Sequence, residues 1–287
     1  MKLGLGTAQF GMNYGISNKE GQCSRLEVRK ILSLAAEQNI QVLDTASSYG
    51  NSENVIGECL WKKHPFHIIT KIPEFLPSDG IVGKLQESFK QSLDRLRQNA
   101  IYGLLDHNAD NLLSAKGNEF WEAMLQLKQD GKVDKIGASV CTPEQVDSVI
   151  DNFAIDIIQV PINVFDQRLL QGSYLSKIKD RGIEIHARSV FLQGLLLMEA
   201  SSIPDCMAKA RDCVRSFHTD CYDRGYTSLH VALNFVSQQK DVDVVLVGVC
   251  SYDEFCDISN AIDLNIPEYD YEKYALNGES ILNPSLW

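Results

Sequence analysis

The sequence predicts an α/β protein that folds as a single (β/α)8 TIM barrel, and three observations lead to this prediction. The chain has 287 residues, and a one-domain barrel of this kind needs about 250. Short runs rich in Val, Ile and Leu alternate with amphipathic stretches from one end of the chain to the other. These runs are apolar almost throughout, which is typical of strands covered on both faces in a parallel sheet.

Eight segments have strand character, and an amphipathic segment follows each of them. The strand segments are 3–8, 41–46, 67–71, 101–107, 135–140, 156–163, 183–190 and 242–249. A doubly wound open sheet is the alternative, and it needs a GxGxxG fingerprint after an early strand. Gly4, Gly6 and Gly11 lack that spacing because position 9 is Gln9. The closed barrel is therefore favoured.

Four of the helices begin at recognisable capping residues. These are Ser24 with Glu27 before 25–38, Ser52 before 53–63, Thr142 with Pro143 before 144–153, and Ser251 with Glu254 before 252–262. In the first helix the apolar spacing predicts one buried face, made of Leu26, Ile31, Leu34, Ala35 and Ile40. We expect one domain over 1–287, with an extra loop and helix at about 191–225 over one mouth of the barrel.

Composition excludes several classes of partner. The net charge is −11 and no run of Lys or Arg stands out, which disfavours nucleic acid. No apolar run approaches the roughly 18 to 20 residues that span a bilayer, and the N-terminus has no apolar signal region. The eight cysteines contain no CxxC and no zinc spacing. We therefore expect a cytoplasmic monomer or small homo-oligomer with reduced thiols, no metal and no membrane partner.

Four titratable residues fall at the carboxyl ends of three consecutive predicted strands, where such barrels carry their active sites. They are Asp44 and Tyr49 after the second strand, Lys71 at the end of the third and His107 at the end of the fourth. Taken singly, each is more often a turn, packing or solvated residue, and Asp106 beside His107 is a possible partner for it. Together they predict a catalytic site.

The four residues suit the reduction of a carbonyl group. A carbonyl that receives hydride becomes an alkoxide and needs a proton donor, yet free tyrosine has a pKa of about 10. An ammonium from Lys71 would lower the pKa of Tyr49, and a drop of two units corresponds to roughly 2.7 kcal/mol. Asp44 would keep Lys71 protonated and aimed, while a neutral His107 would donate to the carbonyl oxygen and orient it.

The sequence resembles the aldo-keto reductase superfamily over nearly its whole length. The matching pieces, in family order, are LGLGTAQFG, LDTASSYGNSE, ITK, LLDH, KIGAS, IQV, ARSVFLQGLL and VLVG. The resemblance implies an NADP(H) or NAD(H) cofactor and a small-molecule carbonyl substrate. It also implies Tyr49 as proton donor, Lys71 and Asp44 as its tuning pair, and His107 as the substrate-orienting residue.

Cofactor residues carry over by the same resemblance. Ser139 and Gln159 match the positions that hold the nicotinamide carboxamide, but Val140 stands where the family has Asn. Asn163 either compensates for that Asn or caps a loop. Arg188 stands where many members stack an aromatic ring, so it either stacks through its guanidinium plane or touches substrate. The loop over the pyrophosphate matches Ser189, Phe191, Gln193 and Gly194.

The last strand and helix predict the cofactor preference. The family reads the adenosine 2′-phosphate there with basic side chains, whereas VGVCSYDEF, from Gly248 through Ser251 and Glu254, has no Lys or Arg. Carboxylates at Asp253 and Glu254 would repel a phosphate, although Glu254 also serves to cap the helix. We expect a weak preference for NADPH or real use of NADH.

The substrate and two rival functions are less specified. Phe10, Tyr14 and Asn163 are candidate pocket residues. The segment after 201 contains several basic residues, which suit a phosphorylated or sugar-type carbonyl compound, although a solvated helix face explains them equally well. These are Arg211, Arg215, His218 and Arg224. One rival function is a Schiff-base lyase or aldolase that uses Lys71. The other is a cofactor-binding partner subunit without catalysis.

Overall fold

The computed structural model describes residues 2–75, 80–277, 279–283 and 287, and it contains a closed barrel of eight parallel strands in sequence order. Each strand pairs with its neighbours in the chain, and β8 closes on β1 with Lys2 opposite Val244. The strands are β1 Lys2–Gly6, β2 Val42–Asp44, β3 His67–Ile72, β4 Ile101–Asp106, β5 Val133–Ser139, β6 Ile157–Pro161, β7 Glu184–Arg188 and β8 Val244–Gly248. The predicted fold class is confirmed.

Helices surround the barrel and follow the strands. They are α1 Ala8–Gly11, α2 Arg25–Glu37, α3 Ser52–Cys59, α4 Ile81–Leu96, α5 Gly117–Gln129, α6 Pro143–Asn152, α7 Tyr174–Asp180, α8 Ala208–Asp223, α9 Ser228–Ser237, α10 Tyr252–Ala261 and α11 Glu279–Leu282. Short 3₁₀ segments lie at Arg168–Ser173, Leu195–Leu197, Ala200–Ser202, Asp205–Met207 and Glu272–Tyr274.

Three of the four predicted helix caps are confirmed. Ser24, Thr142 and Ser251 each accept a hydrogen bond from the backbone N–H three residues on. The reciprocal bond of the capping boxes predicted for Ser24 with Glu27 and for Ser251 with Glu254 does not form, because Glu27 Oε1 accepts from Tyr252 N and Glu254 Oε2 from Cys250 N. The cap at Ser52 is wrong, because Asn51 occupies the cap position and the fully buried Ser52 Oγ donates to the Thr7 carbonyl at 2.7 Å.

Two details of the predicted helices also differ. Helix α3 ends at Cys59 rather than at 63, because the backbone becomes extended at Leu60, with φ of −70° and ψ of 145°. In α2, Ile31 and Ala35 are buried as predicted, but Leu26 is 66% exposed. Val28 begins the buried face instead, and two residues along a helix differ by about 200° in direction.

The core has two parts. The barrel interior holds a small apolar cluster of Val42, Ile69, Leu105, Ile157, Val244 and Leu246. A much larger cluster lies between the strands and the surrounding helices. The interior leaves no room at Gly4, where a Cβ would lie 2.8 Å from the side chains of both Val244 and Leu246.

Beneath the interior cluster, near the amino ends of the strands, lies a charged group that we call the barrel-floor cluster: Tyr102, Lys135, Glu184 and His186. Glu184 accepts from Tyr102 at 2.8 Å, contacts His186 at 2.6 Å and pairs with Lys135. Burial alone would raise the pKa of Glu184, but hydrogen bonds from His186, Lys135 and Tyr102 outweigh burial and hold the pKa below its usual range.

The predicted extra segment contains three 3₁₀ turns and helix α8. The α8 helix packs against α9, and His218 contacts the Leu196 carbonyl at 2.8 Å. The placement of this segment over the mouth stays a prediction. Within the described residues, no helix is both long enough and apolar enough to cross a membrane.

Candidate active site

The carboxyl ends of parallel strands in a barrel meet at one face, and this geometry brings the four predicted residues together. Asp44 ends β2, Lys71 lies near the end of β3 and His107 directly follows β4. Tyr49 lies in the loop after β2, where the carbonyl of Ala46 accepts its backbone N–H. We call the region at these strand ends the cleft.

A buried ion pair forms the base of this cleft. Lys71 Nζ donates to Asp44 Oδ2 at 2.6 Å and to the Thr45 carbonyl at 2.9 Å. Gln159 Nε2 donates to the other oxygen of Asp44. Lys71 is fully buried and Asp44 almost so, which means that each charge depends on the other for compensation.

The Tyr49 ring lies close to both Lys71 and His107. Lys71 Nζ is 5.0 Å from the centre of the Tyr49 ring, and the His107 ring meets that ring edge-on at 5.6 Å between centroids. Tyr14 lies on another side, with its centroid 6.4 Å from that of Tyr49. The phenol is therefore surrounded by an ammonium, an imidazole and a second phenol.

The pKa of Tyr49 is raised, whereas the sequence predicts that Lys71 lowers it. Burial raises the pKa of Tyr49 and the Asp44 carboxylate raises it further, while the Arg188 guanidinium opposes both. A net lowering by Lys71 is therefore not found. The physical reason is that Asp44, 2.6 Å from Lys71, neutralises the ammonium as seen from the ring. The Tyr49 hydroxyl stays protonated in the free protein.

His107 is held neutral. Burial lowers the pKa of His107 to about 3, with further contributions from the Lys71 and Arg188 cations. Ser48 Oγ lies 3.0 Å from His107 Nδ1, and when Ser48 donates this hydrogen bond the ring carries its proton on Nε2. Asp106 is engaged elsewhere, since it accepts from Asn111 Nδ2 at 2.7 Å and Leu112 N at 2.9 Å.

Lys71 itself experiences two opposing effects. Burial lowers the pKa of Lys71, and the Asp44 carboxylate only partly offsets that effect. Asp44 does raise the pKa of Lys71, as expected, but burial outweighs this effect and the net shift is downward. The 2.6 Å contact still fixes the amine in place.

Gln159 carries an unused hydrogen-bond acceptor next to Asp44. Asp44 is a carboxylate that only accepts, so the amide nitrogen of Gln159 must face it. This orientation leaves Gln159 Oε1 fully buried without a hydrogen-bond partner. Ser139 lies beside it, because the two residues are paired in the β5–β6 register. A buried acceptor next to a hydroxyl fits a primary carboxamide such as that of nicotinamide.

Arg188 reaches from the end of β7 across to β5. Its Nε donates to Ser139 Oγ at 3.2 Å and its Nη1 to Ser189 Oγ at 3.1 Å. Its Nη2 donates to the Val140 carbonyl at 2.9 Å and to Cys141 Sγ at 3.1 Å. The guanidinium is thus anchored on the rim beside Ser139 by neutral groups alone.

The loop after β7 has unusual backbone. Ser189, Leu192 and Gln193 have φ of 60°, 48° and 55°, a left-handed region that costs side-chain-bearing residues energy and often marks functional loops. The Gln193 carbonyl accepts from Ile16 N at 3.1 Å, which ties the loop to the segment after β1. Phe191 is buried in the core, and a Cβ on Gly194 would lie 1.8 Å from Ser17 Oγ.

At the end of β8, the residues predicted to meet the adenosine are organised by capping. Ser251 caps α10, and Glu254 Oε2 accepts from Cys250 N at 2.6 Å rather than from the cap residue itself. Gly248 faces Gln9, whose Oε1 would lie 2.7 Å from a Cβ at that position.

The three predicted pocket residues have different surroundings. Tyr14 shares the cleft with Tyr49. Phe10 instead is fully buried in the hydrophobic core and offers no surface to a pocket. Asn163 is also buried, and its Oδ1 accepts from the backbone N–H groups of residues 165 and 166. That geometry corresponds to the loop-cap alternative for Asn163.

Sequence reasoning missed Ser48, Gln9 and Cys141, which contact His107, Gly248 and Arg188 respectively. The hydroxyl of Ser48 and the thiol of Cys141 lie outside regular elements, and the amide of Gln9 lies in the four-residue helix α1. None of them carries a periodic signal, and only the fold brings them to their partners. Among the described residues, no group of three or more His, Cys, Asp or Glu side chains is arranged to hold a metal ion.

A closed barrel with an acid, an ammonium, a phenol and an imidazole at its strand ends defines an enzyme site suited to proton transfer. The chain belongs to the aldo/keto reductase family, whose model matches residues 2–275. It is therefore an oxidoreductase of a family that uses nicotinamide cofactors and acts on small-molecule carbonyl compounds.

Several known proteins resemble this chain. An uncharacterized oxidoreductase of Bacillus subtilis, YqkF, is 27% identical over 68% of this chain and 66% of its own length. The NADH-specific methylglyoxal reductase of Escherichia coli is 23% identical over 94% of this chain and 92% of its own. A holo aldo-keto reductase structure from Bacillus halodurans has a TM-score of 0.75 at 19% identity, covering 95% of this chain and 90% of that one. The last likeness shows the fold alone.

Proposed function

We propose that this protein reduces an aldehyde or ketone to the corresponding alcohol with a nicotinamide cofactor. The observation that carries the proposal is the position of the Tyr49 ring, which lies close to both the Lys71 ammonium and the His107 imidazole. The cofactor supplies hydride when it is bound. The electron pair of the C=O π bond then moves to the oxygen, which needs a proton.

Tyr49 delivers that proton. Its raised pKa keeps the hydroxyl protonated in the resting enzyme, so the donor is loaded before the reaction begins. The Arg188 guanidinium opposes the rise in the pKa of Tyr49, so it stabilises negative charge on the phenol as it forms. Lys71, 5.0 Å from the ring centre and paired with Asp44, holds this carboxylate in place beside the ring. Neutral His107 donates from Nε2 to the carbonyl oxygen and orients it, with Ser48 holding the other ring nitrogen.

The residues that would hold the cofactor lie on β5 and β6, in the loop after β7 and at the start of α10. The unpaired Gln159 Oε1 and Ser139 Oγ suit its carboxamide. The left-handed loop from Ser189 to Gly194 presents turned backbone next to the segment after β1, as a cover over a pyrophosphate requires. The start of α10 would lie by the adenosine.

The cofactor preference in this proposal is either a weak one for NADPH or real use of NADH. Asp253 and Glu254 are both exposed at the start of α10, where a 2′-phosphate with nearly two negative charges would be repelled. The Escherichia coli relative that is named NADH-specific points the same way.

Cofactor binding tests this preference. We expect the Kd for NADPH to be no more than about a hundredfold below that for NADH, since a larger ratio means more than roughly 2.7 kcal/mol of discrimination. Asp253→Arg should shift the ratio several-fold toward NADPH. Asp257→Arg, exposed one turn further along the same helix, is the matched control. A strong NADPH preference in the unmodified protein contradicts the proposal.

A Schiff-base lyase remains the second candidate, because burial lowers the pKa of Lys71 and a neutral amine is the nucleophile. Against it, the Lys71 amine is fully buried and donates to Asp44 and Thr45, which leaves no path for a substrate carbonyl.

A substrate screen separates the two functions. The protein is assayed against short aldehydes, ketones and sugar-type or phosphorylated carbonyl compounds, with NADH and NADPH, by the nicotinamide absorbance. In parallel, borohydride is added with each carbonyl compound but no cofactor. Carbonyl-dependent oxidation of the cofactor without trapping on Lys71 supports the reductase. Trapping on Lys71 without cofactor oxidation overturns it.

A further inference from the structure

Arg188 differs from the other cations near the cleft because no described carboxylate lies within ion-pair distance of it. Lys71 is paired with Asp44 at 2.6 Å and Arg168 with Asp166 at 2.8 Å. Arg188 instead donates only to two hydroxyls, a carbonyl and a thiol. Its positive charge is therefore not cancelled by the protein, and holding such a charge in a half-buried position is costly without a counter-ion.

The guanidinium is also fixed in place and has one donor to spare. It carries five N–H groups. Nε uses its one on Ser139, Nη1 uses one on Ser189, and Nη2 uses two on Val140 and Cys141. One Nη1 hydrogen remains. Arg188 is thus a preorganised positive charge with a single free donor, rather than a two-pronged clamp.

The charge of Arg188 reaches the reacting groups. It lowers the pKa of His107 and opposes the rise in the pKa of Tyr49 and of Tyr14. Its Nε donates to Ser139, which is paired with Gln159 in the β5–β6 register, and Gln159 donates to Asp44. The guanidinium therefore lies near the strand ends where the carbonyl compound binds in the proposed function. In a protein with a net charge of −11, this is a local positive centre in an otherwise acidic molecule.

We propose that Arg188 selects carbonyl substrates that carry an oxyanion, either a carboxylate or a phosphate. The substrate oxyanion would then pair with the guanidinium, which no described carboxylate does. This inference rests on the proposed function, because it places the substrate in the cleft beside Tyr49. The other source of an oxyanion is the cofactor pyrophosphate, and the experiment distinguishes the two.

The test compares pairs of compounds that differ in charge. One pair is 4-carboxybenzaldehyde and its neutral methyl ester, and the other is glyceraldehyde 3-phosphate and glyceraldehyde. Binding of each compound to the protein–cofactor complex is measured by calorimetry, and turnover is measured separately. We expect the charged member of at least one pair to bind at least about tenfold more tightly, and the pair that shows it identifies carboxylate or phosphate.

Variants assign the effect. Arg188→Gln should bring the charged-to-neutral ratio to within about threefold of unity, and Arg188→Lys should retain part of it. Arg29→Gln, which removes an exposed charge from α2, should leave the ratio unchanged. The thermal unfolding midpoint and the Kd for NADH show that each variant is folded.

The outcomes separate this inference from the proposed function. A charge preference that Arg188→Gln removes supports the inference, even if no compound turns over, in which case the reductase proposal fails alone. Turnover with no charge preference in the unmodified protein overturns the inference and leaves the reductase intact. An Arg188→Gln variant that keeps the preference overturns it too. An Arg188→Gln variant that loses NADH affinity together with the charge preference also overturns the inference, because the guanidinium then binds the cofactor pyrophosphate.

Discussion

The imidazole of His107 stays neutral over the physiological range because burial and two nearby cations hold its pKa at about 3. We therefore expect kcat/KM for carbonyl reduction to show no loss with a midpoint near 6.5 as the pH falls from 8 to about 5.5. A pH–rate profile measures this directly. A limb near 6.5 that disappears in His107→Gln would contradict the assignment.

The same shift has a consequence for stability. Between about 3 and 6.5 the unfolded chain binds a proton at this histidine that the folded protein does not bind. The free energy of unfolding should therefore fall as the pH falls through that window, and His107→Gln should reduce the slope. Urea denaturation at several pH values measures this dependence, and the free energy of unfolding must increase as the pH rises.

Lys71 and Asp44 depend on each other for stability. Lys71→Met leaves the buried Asp44 carboxylate with Gln159 as its remaining side-chain donor. We expect a loss of about 3 to 5 kcal/mol in the free energy of unfolding, part of which returns in the Lys71→Met, Asp44→Asn double variant. Equal stability of Lys71→Met and the unmodified protein in urea would show that the pair is not buried in solution.

At the level of elements, the barrel floor makes its own prediction. Hydrogen bonds hold the pKa of Glu184 below its ordinary value despite burial, so the folded state binds fewer protons there than the unfolded chain. That stability is present above the unfolded pKa of about 4.3 and is lost as the pH falls through the folded pKa.

Glu184→Gln should remove this contribution. We expect a loss of about 2 to 4 kcal/mol at pH 7, with a smaller difference between variant and unmodified protein in acid. Glu122→Gln, an exposed change on α5, is the control and should stay within about 0.5 kcal/mol. Calorimetric unfolding provides the measurement, and a variant as stable as the control would refute a structural role for the cluster.

Elements were predictable where their signal is local. Thr142 with Pro143 and Ser251 with Glu254 mark their helices because the cap and the first turn are contiguous in sequence. The prediction for Ser52 was wrong because its hydroxyl donates to the carbonyl of Thr7, which is distant in sequence, and does not cap its own helix. The exposed Leu26 shows the same limit, since apolar character alone does not say which face meets the barrel.

For the whole molecule, the alternation of apolar and amphipathic segments was enough to predict eight strands and the closed barrel. Placing polar residues at strand ends also brought Asp44, Lys71, Tyr49 and His107 into one cleft. The balance of charges was beyond sequence reasoning. The raised pKa of Tyr49 depends on the distance between Asp44 and Lys71 and on the burial of the Tyr49 ring. The spacing of residues in the sequence gives neither quantity.

The central claim is that Tyr49 gives its proton to the reduced carbonyl, and Tyr49→Phe tests it most directly. With a substrate from the screen, we expect kcat/KM to fall by about 30-fold to 1000-fold. This fall corresponds to a loss of about 2 to 4 kcal/mol of transition-state stabilisation. The Kd for NADH should stay within about threefold, because the ring remains. A variant that reduces the substrate as fast as the unmodified protein would contradict the account.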